Sequence, residues 1–518
     1  MKMNMEELLQ TLLVIFGVLL VSWAWKAISW TWFKPKKMEK YLREQGLKGP
    51  NYKFLYGDIK EIGRLAKEAR SKPMENSHQI APRVLPYYHQ VVQQYGKMSY
   101  LWFGPTPRLI VMDTDMIKEI LSDTSGTFGK TKSNPRGPLL ITGLVTYEGD
   151  KWAKHRKIIN PAFHQDKLKM MLPAFYTSCC EMVNKWLNAI PEGSCELDVW
   201  PDLQNVTADV ISRTGFGSSY EEGRRIFILQ SEQAGLVVQG SQSIYIPGMR
   251  FLPTKTNNRM KEIYREVQNL LRDMILKRAK AMKAGEAPTS DLLGLLMESN
   301  FKEIEEGGNS KVGITIDDVI EECKLFYFAG QETATLLAWT MVVLSMHQDW
   351  QRKAREEVMQ VFGSNKPEYD GLNHLKVVTM ILNEVLRLYP PAYLIMRETY
   401  KKVKLGDVSL PPGVHLALSP LLMHHDHELW GEDANKFNPE RFSEGISKAT
   451  KNKGLFFPFS WGPRFCIGQN FAMLESKMAL AMILQHFSFE LSSTYVHAPY
   501  TVITLQPQHG VQLVLRKI

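Results

Sequence analysis

The stretch Phe457-Pro458-Phe459-Ser460-Trp461-Gly462-Pro463-Arg464-Phe465-Cys466-Ile467-Gly468-Gln469-Asn470-Phe471-Ala472 puts one cysteine between a Pro/Gly-rich turn and an apolar-periodic run. A sulfur just before a helix N-terminus meets unpaired backbone N–H groups, which favour the thiolate, the form that binds metals and attacks electrophiles. Gly462 and Gly468 allow close approaches that a Cβ would block. Arg464 adds a cation beside that thiolate, or beside an acidic group of whatever binds there. Taken alone, such a cysteine also reads as a buried structural residue. A second reactive pair lies upstream in Ala329-Gly330-Gln331-Glu332-Thr333-Ala334, where a carboxyl adjoins a hydroxyl and the two can pass a proton. Gly330 weakens a helix locally, and Thr333 can turn its hydroxyl back to a carbonyl one turn earlier. Glu384 and Arg387 stand three apart, where opposite charges meet on one helix turn.

These groups need a large scaffold, and 518 residues with 44% hydrophobic and 23% charged content supply an ordinary globular one. Thr315-Ile316-Asp317-Asp318 is a capping-box start, and the helical pattern behind it runs unbroken to about His347, carrying the Glu332–Thr333 pair in its middle. Trp152 and Arg156 share a helical face. Residues 98–103 and 108–112 read as strands joined through Gly104-Pro105-Thr106-Pro107, and residues 123–149 read as a long loop. Gly215-Phe216-Gly217 lacks the third glycine and the preceding strand of a dinucleotide site. Residues 423–427 hold three histidines in what reads as a polar linker, without the spacing of a metal site. Residues 245–253 form an apolar, helix-broken stretch, and 303–313 a polar loop.

Five cysteines without regular spacing point to a reducing compartment. A net charge of +9 fits contact with anionic lipid or an acidic protein, and no Lys/Arg–aromatic array suggests nucleic acid. Residues 8–25 carry no charge, and 27–33 extend the apolar run, so one membrane-spanning anchor is expected over 1–33. Lys34-Pro35-Lys36-Lys37 follows at once, which leaves the remainder on the cytoplasmic side. A basic linker over 34–50 then leads to a catalytic domain over 51–518.

Phe459-x-x-Gly462-x-Arg464-x-Cys466-x-Gly468 resembles the haem-binding signature of the cytochromes P450. The resemblance implies a mainly α fold with a smaller β-rich lobe, and Cys466 as axial ligand of the iron of haem b, with Phe459, Arg464 and Gly468 around it. Ala329-Gly330-x-Glu332-Thr333 is similar to the family's oxygen-activating motif, which implies a groove at Gly330 and proton delivery by Glu332 and Thr333; Ala334 departs from the usual hydroxyl residue. Trp152 with Arg156, and Arg397, resemble the family's propionate-binding groups, roles suited to an indole N–H and to guanidiniums. Glu384, Arg387 and Arg441 resemble its buried structural network.

The segments 147–156 and 325–333 look like the plant subfamily containing secologanin synthase, which acts on terpenoids. That implies an endoplasmic-reticulum monooxygenase using O₂ and electrons that NADPH supplies through a cytochrome P450 reductase. An oleanane-type triterpenoid is the first choice of apolar substrate, ahead of an iridoid glucoside or a gibberellin-type diterpenoid. By the same resemblance, the pocket draws on residues 125–146, 325–334, 392–396 and 499–504. A haem-thiolate isomerase or dehydratase that uses no O₂, and a tethered haem- or lipid-binding protein, are the alternatives.

Overall fold

The computed structural model describes residues 5–131, 136–190, 193–218, 220–241, 248–285, 291–307, 313–450 and 455–518. Parts of three stretches singled out above (132–135, 245–247 and 308–312) lie outside the described residues. The apolar N-terminal run forms α1 (Met5–Ile28), which passes through a π turn (Ser29–Phe33) into α2 (Lys34–Glu44) without a break. One helix, Glu6–Glu44, is long and apolar enough to cross a membrane, and its apolar window is 0% buried in the protein. The stretch expected as a linker is instead docked on the body. Leu42 and Glu39 of α2 are buried. The Tyr52 N–H donates to Glu39 (3.2 Å), and the Tyr52 hydroxyl donates to the carbonyl of Thr31 (2.5 Å).

Strands β1 (Met98–Phe103) and β2 (Thr106–Val111) form a hairpin around Gly104-Pro105, tighter than the sequence suggested. Thr106 and Pro107 already pair with Phe103 and Trp102. The stretch expected as loop holds the short β3 (Phe128–Gly129), a turn of helix (Gly137–Leu140) and the start of α3 (Gly149–Ile159). Two long helices follow, α4 (Gln165–Ala189) and α5 (Trp200–Phe216). Gly217 ends α5 in the left-handed conformation (φ 64°), so Gly215-Phe216-Gly217 is a helix C-terminus.

The capping box at Thr315 forms: its hydroxyl accepts the Asp318 N–H and Asp318 accepts the Thr315 N–H, both at 3.1 Å. The helix it opens is not continuous. It divides into α6 (Ile316–Gly330) and α7 (Thr333–Met346). Three causes meet at the break. Ile211 of α5 occupies the space beside Gly330, where a Cβ would lie 2.5 Å from its Cγ1. The Thr207 hydroxyl reaches the Gln331 carbonyl (3.2 Å), and the backbone closes tighter, three-residue turns from Glu332 to Ala329 (3.1 Å) and from Thr335 to Glu332 (3.1 Å). Finally, the Glu332 carboxyl is drawn sideways to another element, described below.

Beyond α7 come α8 (Lys376–Leu388), β4 (Ile395–Thr399), β5 (His415–Leu418), α9 (Gln469–His486), and the hairpin β6 (Pro499–Val502) and β7 (Thr504–Pro507). The main sheet runs β1-β2-β5-β4-β3, with β2 and β5 parallel. Arg397 lies inside β4 opposite Leu416. The histidine run is not a polar linker: His424 ends a buried helix (Pro420–His424), and its ring accepts the N–H of Phe457 (3.2 Å). Helix α9 is apolar on nearly every face, as suits a helix packed against both α4 and α7.

Candidate active site

Cys466 is placed by its own loop. A 3₁₀ turn (Gly462–Arg464) precedes it, and its N–H donates to the carbonyl of Phe459 (2.8 Å). Gly462 adopts φ +70°, and a Cβ there would come within 2.4 Å of the Leu121 carbonyl, so only glycine permits this seat. Below the loop, Arg387 of α8 makes a bidentate pair with Glu384 (2.7 Å each) and donates to the carbonyls of His424 and Ala434 (2.7 and 2.6 Å). Arg441 lies 3.5 Å from the same carboxylate and pairs with Asp433 (2.5 Å). The structure thus brings Glu384, Arg387 and Arg441 together away from water.

The sulfur itself is unusual in its surroundings. Cys466 keeps an open surface, yet burial pushes its thiol upward from the ordinary value, against the Gly468 N–H and the Arg156 charge, which pull it down. An accessible sulfur inside dense protein faces an internal opening. Phe465 beside it is 44% exposed, and Ala329, in the last turn of α6, is exposed too. The two sides are close. The Phe163 ring stands 3.9 Å from where a Cβ of Gly468 would be, and 6.0 Å, edge-on, from Phe326 of α6.

On the α6–α7 side the acid and the alcohol part company. Glu332 accepts a hydrogen bond from the Thr504 hydroxyl of β7 (2.5 Å), and burial pushes its pKa up to about 7. Thr333 does not turn back on its own helix; the polar group it faces is Glu475 of α9. Among the described residues neither buried oxygen of Glu475 has a well-formed hydrogen-bond partner, and burial pushes its pKa well above the usual carboxylate range. Ala334 is fully buried in the core.

A cationic rim completes the opening. Arg156 donates to the Phe465 carbonyl (3.0 Å) and stacks on that ring. The Arg464 guanidinium lies 4.2 Å over the Trp152 ring, donates to the Tyr147 carbonyl (2.5 Å) and pairs with Glu148. Arg397 is buried, and among the described residues its guanidinium donates to the Met396 carbonyl alone (3.0 Å); burial and Arg464 push its pKa down to about 10. A flat, largely apolar group with a metal centre and two carboxylates fits this donor set, with the sulfur toward the metal and the guanidiniums toward the carboxylates.

Sequence reasoning missed Glu475 and Glu148, and it placed Thr504 in the pocket lining without its bond to Glu332. Glu475 stands nearly two helical turns beyond Gln469, within a run whose apolar character hides it, and Thr504 lies in a strand remote from Glu332 in sequence. No local pattern marks either one.

The cytochrome P450 family model matches residues 75–513. The chain is 58% identical to Cytochrome P450 CYP72A219 of Panax ginseng over 504 residues, covering 97% of each. It is 57% identical to Cytochrome P450 72A397 of Kalopanax septemlobus, over 96% of each chain. Identity to Cytochrome P450 716A67 of Medicago truncatula is 51%, over 98% of this chain and 99% of the relative. With relatives of plant origin along nearly its whole length and an open sulfur at the expected place, this chain belongs to the cytochrome P450 family and shares its haem b cofactor and monooxygenase chemistry.

Proposed function

We propose that this cytochrome P450 oxidises a terpenoid, with an oleanane-type triterpenoid as first choice, at the cytoplasmic face of the endoplasmic reticulum. The observation that carries the site is Cys466, exposed on its loop with the Gly468 N–H and the Arg156 charge at its sulfur. Haem b, when bound, supplies O₂ activation and takes electrons one at a time, from NADPH through a cytochrome P450 reductase. The chain does the rest. Cys466 ligates the iron, and the Gly468 N–H and the Arg156 charge hold negative charge on its sulfur. Trp152, Arg156, Arg397 and Arg464 hold the propionates. Phe459 fixes the loop through its carbonyl, and the missing side chain of Gly330 lets Ile211 of α5 pack closely against α6.

Glu332, with a pKa near 7, takes up and releases a proton at the pH of the cell, and Thr333 passes it inward. Glu332 hangs from β7, beside residues 499–504, and the β6–β7 hairpin is itself tied to Pro391 and Trp339 by the Leu505 backbone. The apolar residues of 325–334 and 392–396 give the surface a terpenoid needs. Helix α1 is the anchor, and the basic surface on the sulfur side receives the reductase.

The test is a panel of triterpenoids, iridoid glucosides and gibberellin-type acids, incubated with microsomes carrying the chain, reductase and NADPH, and read by mass spectrometry. A hydroxylated oleanane is the expected product. Oxidation of another class alone would replace the substrate assignment, and turnover without O₂ or NADPH would replace monooxygenation by isomerisation or dehydration. Cys466→Ala is expected to lose the thiolate-type absorption of the reduced CO complex; a variant that kept it would remove the ligand assignment.

A further inference from the structure

The hairpin that carries Thr504 cannot hold its own shape. Strands β6 and β7 pair only with each other, and two strands alone are marginal in water. The turn is also strained. Ile503 is the single residue between the paired Val502 and Thr504, and its φ of +69° is one that a β-branched side chain resists. Contacts from outside must therefore keep the turn in place. On one side these are the bonds of the Leu505 backbone to Trp339 and Pro391.

Two arginines remote in sequence hold the other side. Arg70 ends the helix Ile59–Arg70, and its guanidinium donates to the Thr501 carbonyl (2.9 Å) and hydroxyl (3.3 Å). Arg83 donates to the Pro499 carbonyl (3.0 Å) and the Gln508 side chain (3.0 Å), and also to the carbonyls of Ala69 (2.7 Å) and Lys72. Gln508 donates in turn to the Arg70 carbonyl (3.1 Å), which closes the clasp. Among the described residues the acceptors of both guanidiniums are carbonyls, a hydroxyl and an amide, not carboxylates. Both charges thus act on the hairpin and its surroundings, through bonds stronger than neutral pairs make.

Arg70 is the hold nearer the turn. Thr501 pairs with Leu505, the residue after Thr504 on the facing strand. The Thr504 hydroxyl accepts from Gln506 (3.5 Å) and donates to Glu332 (2.5 Å), so where the turn lies decides whether that second bond forms. Among the described residues Thr504 is the one polar side chain that bears on the Glu332 carboxyl.

We propose that Arg70 is a positioning residue for Glu332: it holds the β6–β7 turn where the Thr504 hydroxyl meets the acid. The proposal deepens the reading of Glu332 as proton carrier, and rests on that reading for its effect on turnover.

The experiment follows the Glu332 carboxyl stretch by infrared difference titration of the full-length, haem-loaded protein, with Glu332→Gln identifying the band. Arg70→Met is expected to move the midpoint upward by about one pH unit, because the ionised acid loses one hydrogen bond. Thr504→Val should move it equally, and the double variant no further, since both changes act through the same bond. Thr501→Val removes only the hydroxyl acceptor and should move the midpoint the same way by less. A midpoint that stayed in place in Arg70→Met while the melting point fell would show a merely structural role and overturn the proposal. Shifts that added in the double variant would overturn it too. If Arg70→Met failed to fold, an unmoved midpoint in Thr501→Val would do the same. Turnover of Glu332→Gln at the wild-type rate would instead overturn the proton-carrier reading, and would leave the infrared result as it stands.

Discussion

Glu384 and Glu475 are both fully buried carboxyls on core helices, and they are held in opposite ways. Glu384 accepts two bonds from Arg387 and one from the Asn438 N–H (2.9 Å), with Arg441 close by. Among the described residues Glu475 has no well-formed partner for either oxygen, and burial lifts its pKa accordingly. Glu332 stands between these extremes, with one hydroxyl donor and a pKa of about 7. Burial is the same for the first two, so it is the number of donors that sets them apart. The donors are plentiful under the cysteine loop, which must stay still. They are scarce beside the α6–α7 break, where a proton must be able to come and go.

The contrast breaks most visibly at Arg387. Arg387→Ala strands the Glu384 charge, and a loss of about 3–5 kcal/mol is expected in chemical denaturation, with haem content falling alongside. A loss under about 1 kcal/mol would mean that the clamp holds nothing. Next in size is Glu332→Gln, expected to slow product formation roughly 100-fold. Wild-type Glu332 is protonated below about pH 7 and ionised above it, so a step near that pH in the rate profile should disappear in the variant.

Thr504→Val is milder. The hydroxyl supports the ionised form of Glu332, so its removal raises the acid's pKa and moves the step to higher pH, with a rate loss under about tenfold. A step that stayed in place would show that Thr504 does not govern the acid. Glu475→Gln has the least effect at acid pH. Above an unfolded carboxyl pKa of about 4.3, the unfolded chain releases a proton that the folded one keeps, so wild-type stability declines as pH rises. The amide removes that decline. The variant should therefore match wild type at pH 4 and melt higher at pH 8; equal melting at both would show Glu475 to be paired in solution.

What could be read from the chain, and what could not, follows the same division. The Cys466 loop, the Thr315 capping box and the β1–β2 hairpin are local: their residues sit within a few positions of their partners, and spacing alone reveals them. The break in the long helix was not legible. Gly330 marks a weak point, but Thr207 and Ile211, which open it, come from α5. Glu332 and Thr333 read as a pair because they adjoin in sequence, whereas neighbours on a helix point about 100° apart. Glu332 found its partner in Thr504, and Thr333 turned toward Glu475 without a well-formed bond. The docking of α2 was hidden for another reason: its many lysines suggest a solvated strap, while Leu42 and Glu39 supply the inner face.

The uninterrupted passage from α1 through the π turn into α2 has a mechanical consequence. Tyr52 grips the Thr31 carbonyl, and Glu39 is bonded to the Tyr52 N–H, so no swivel separates the apolar rod from the mass it carries. A bilayer that takes up the rod sets the tilt and the heading of the whole body, as a keel sets a hull. The mouth of the reaction chamber would then look in one chosen direction, and greasy molecules would be met from that side alone.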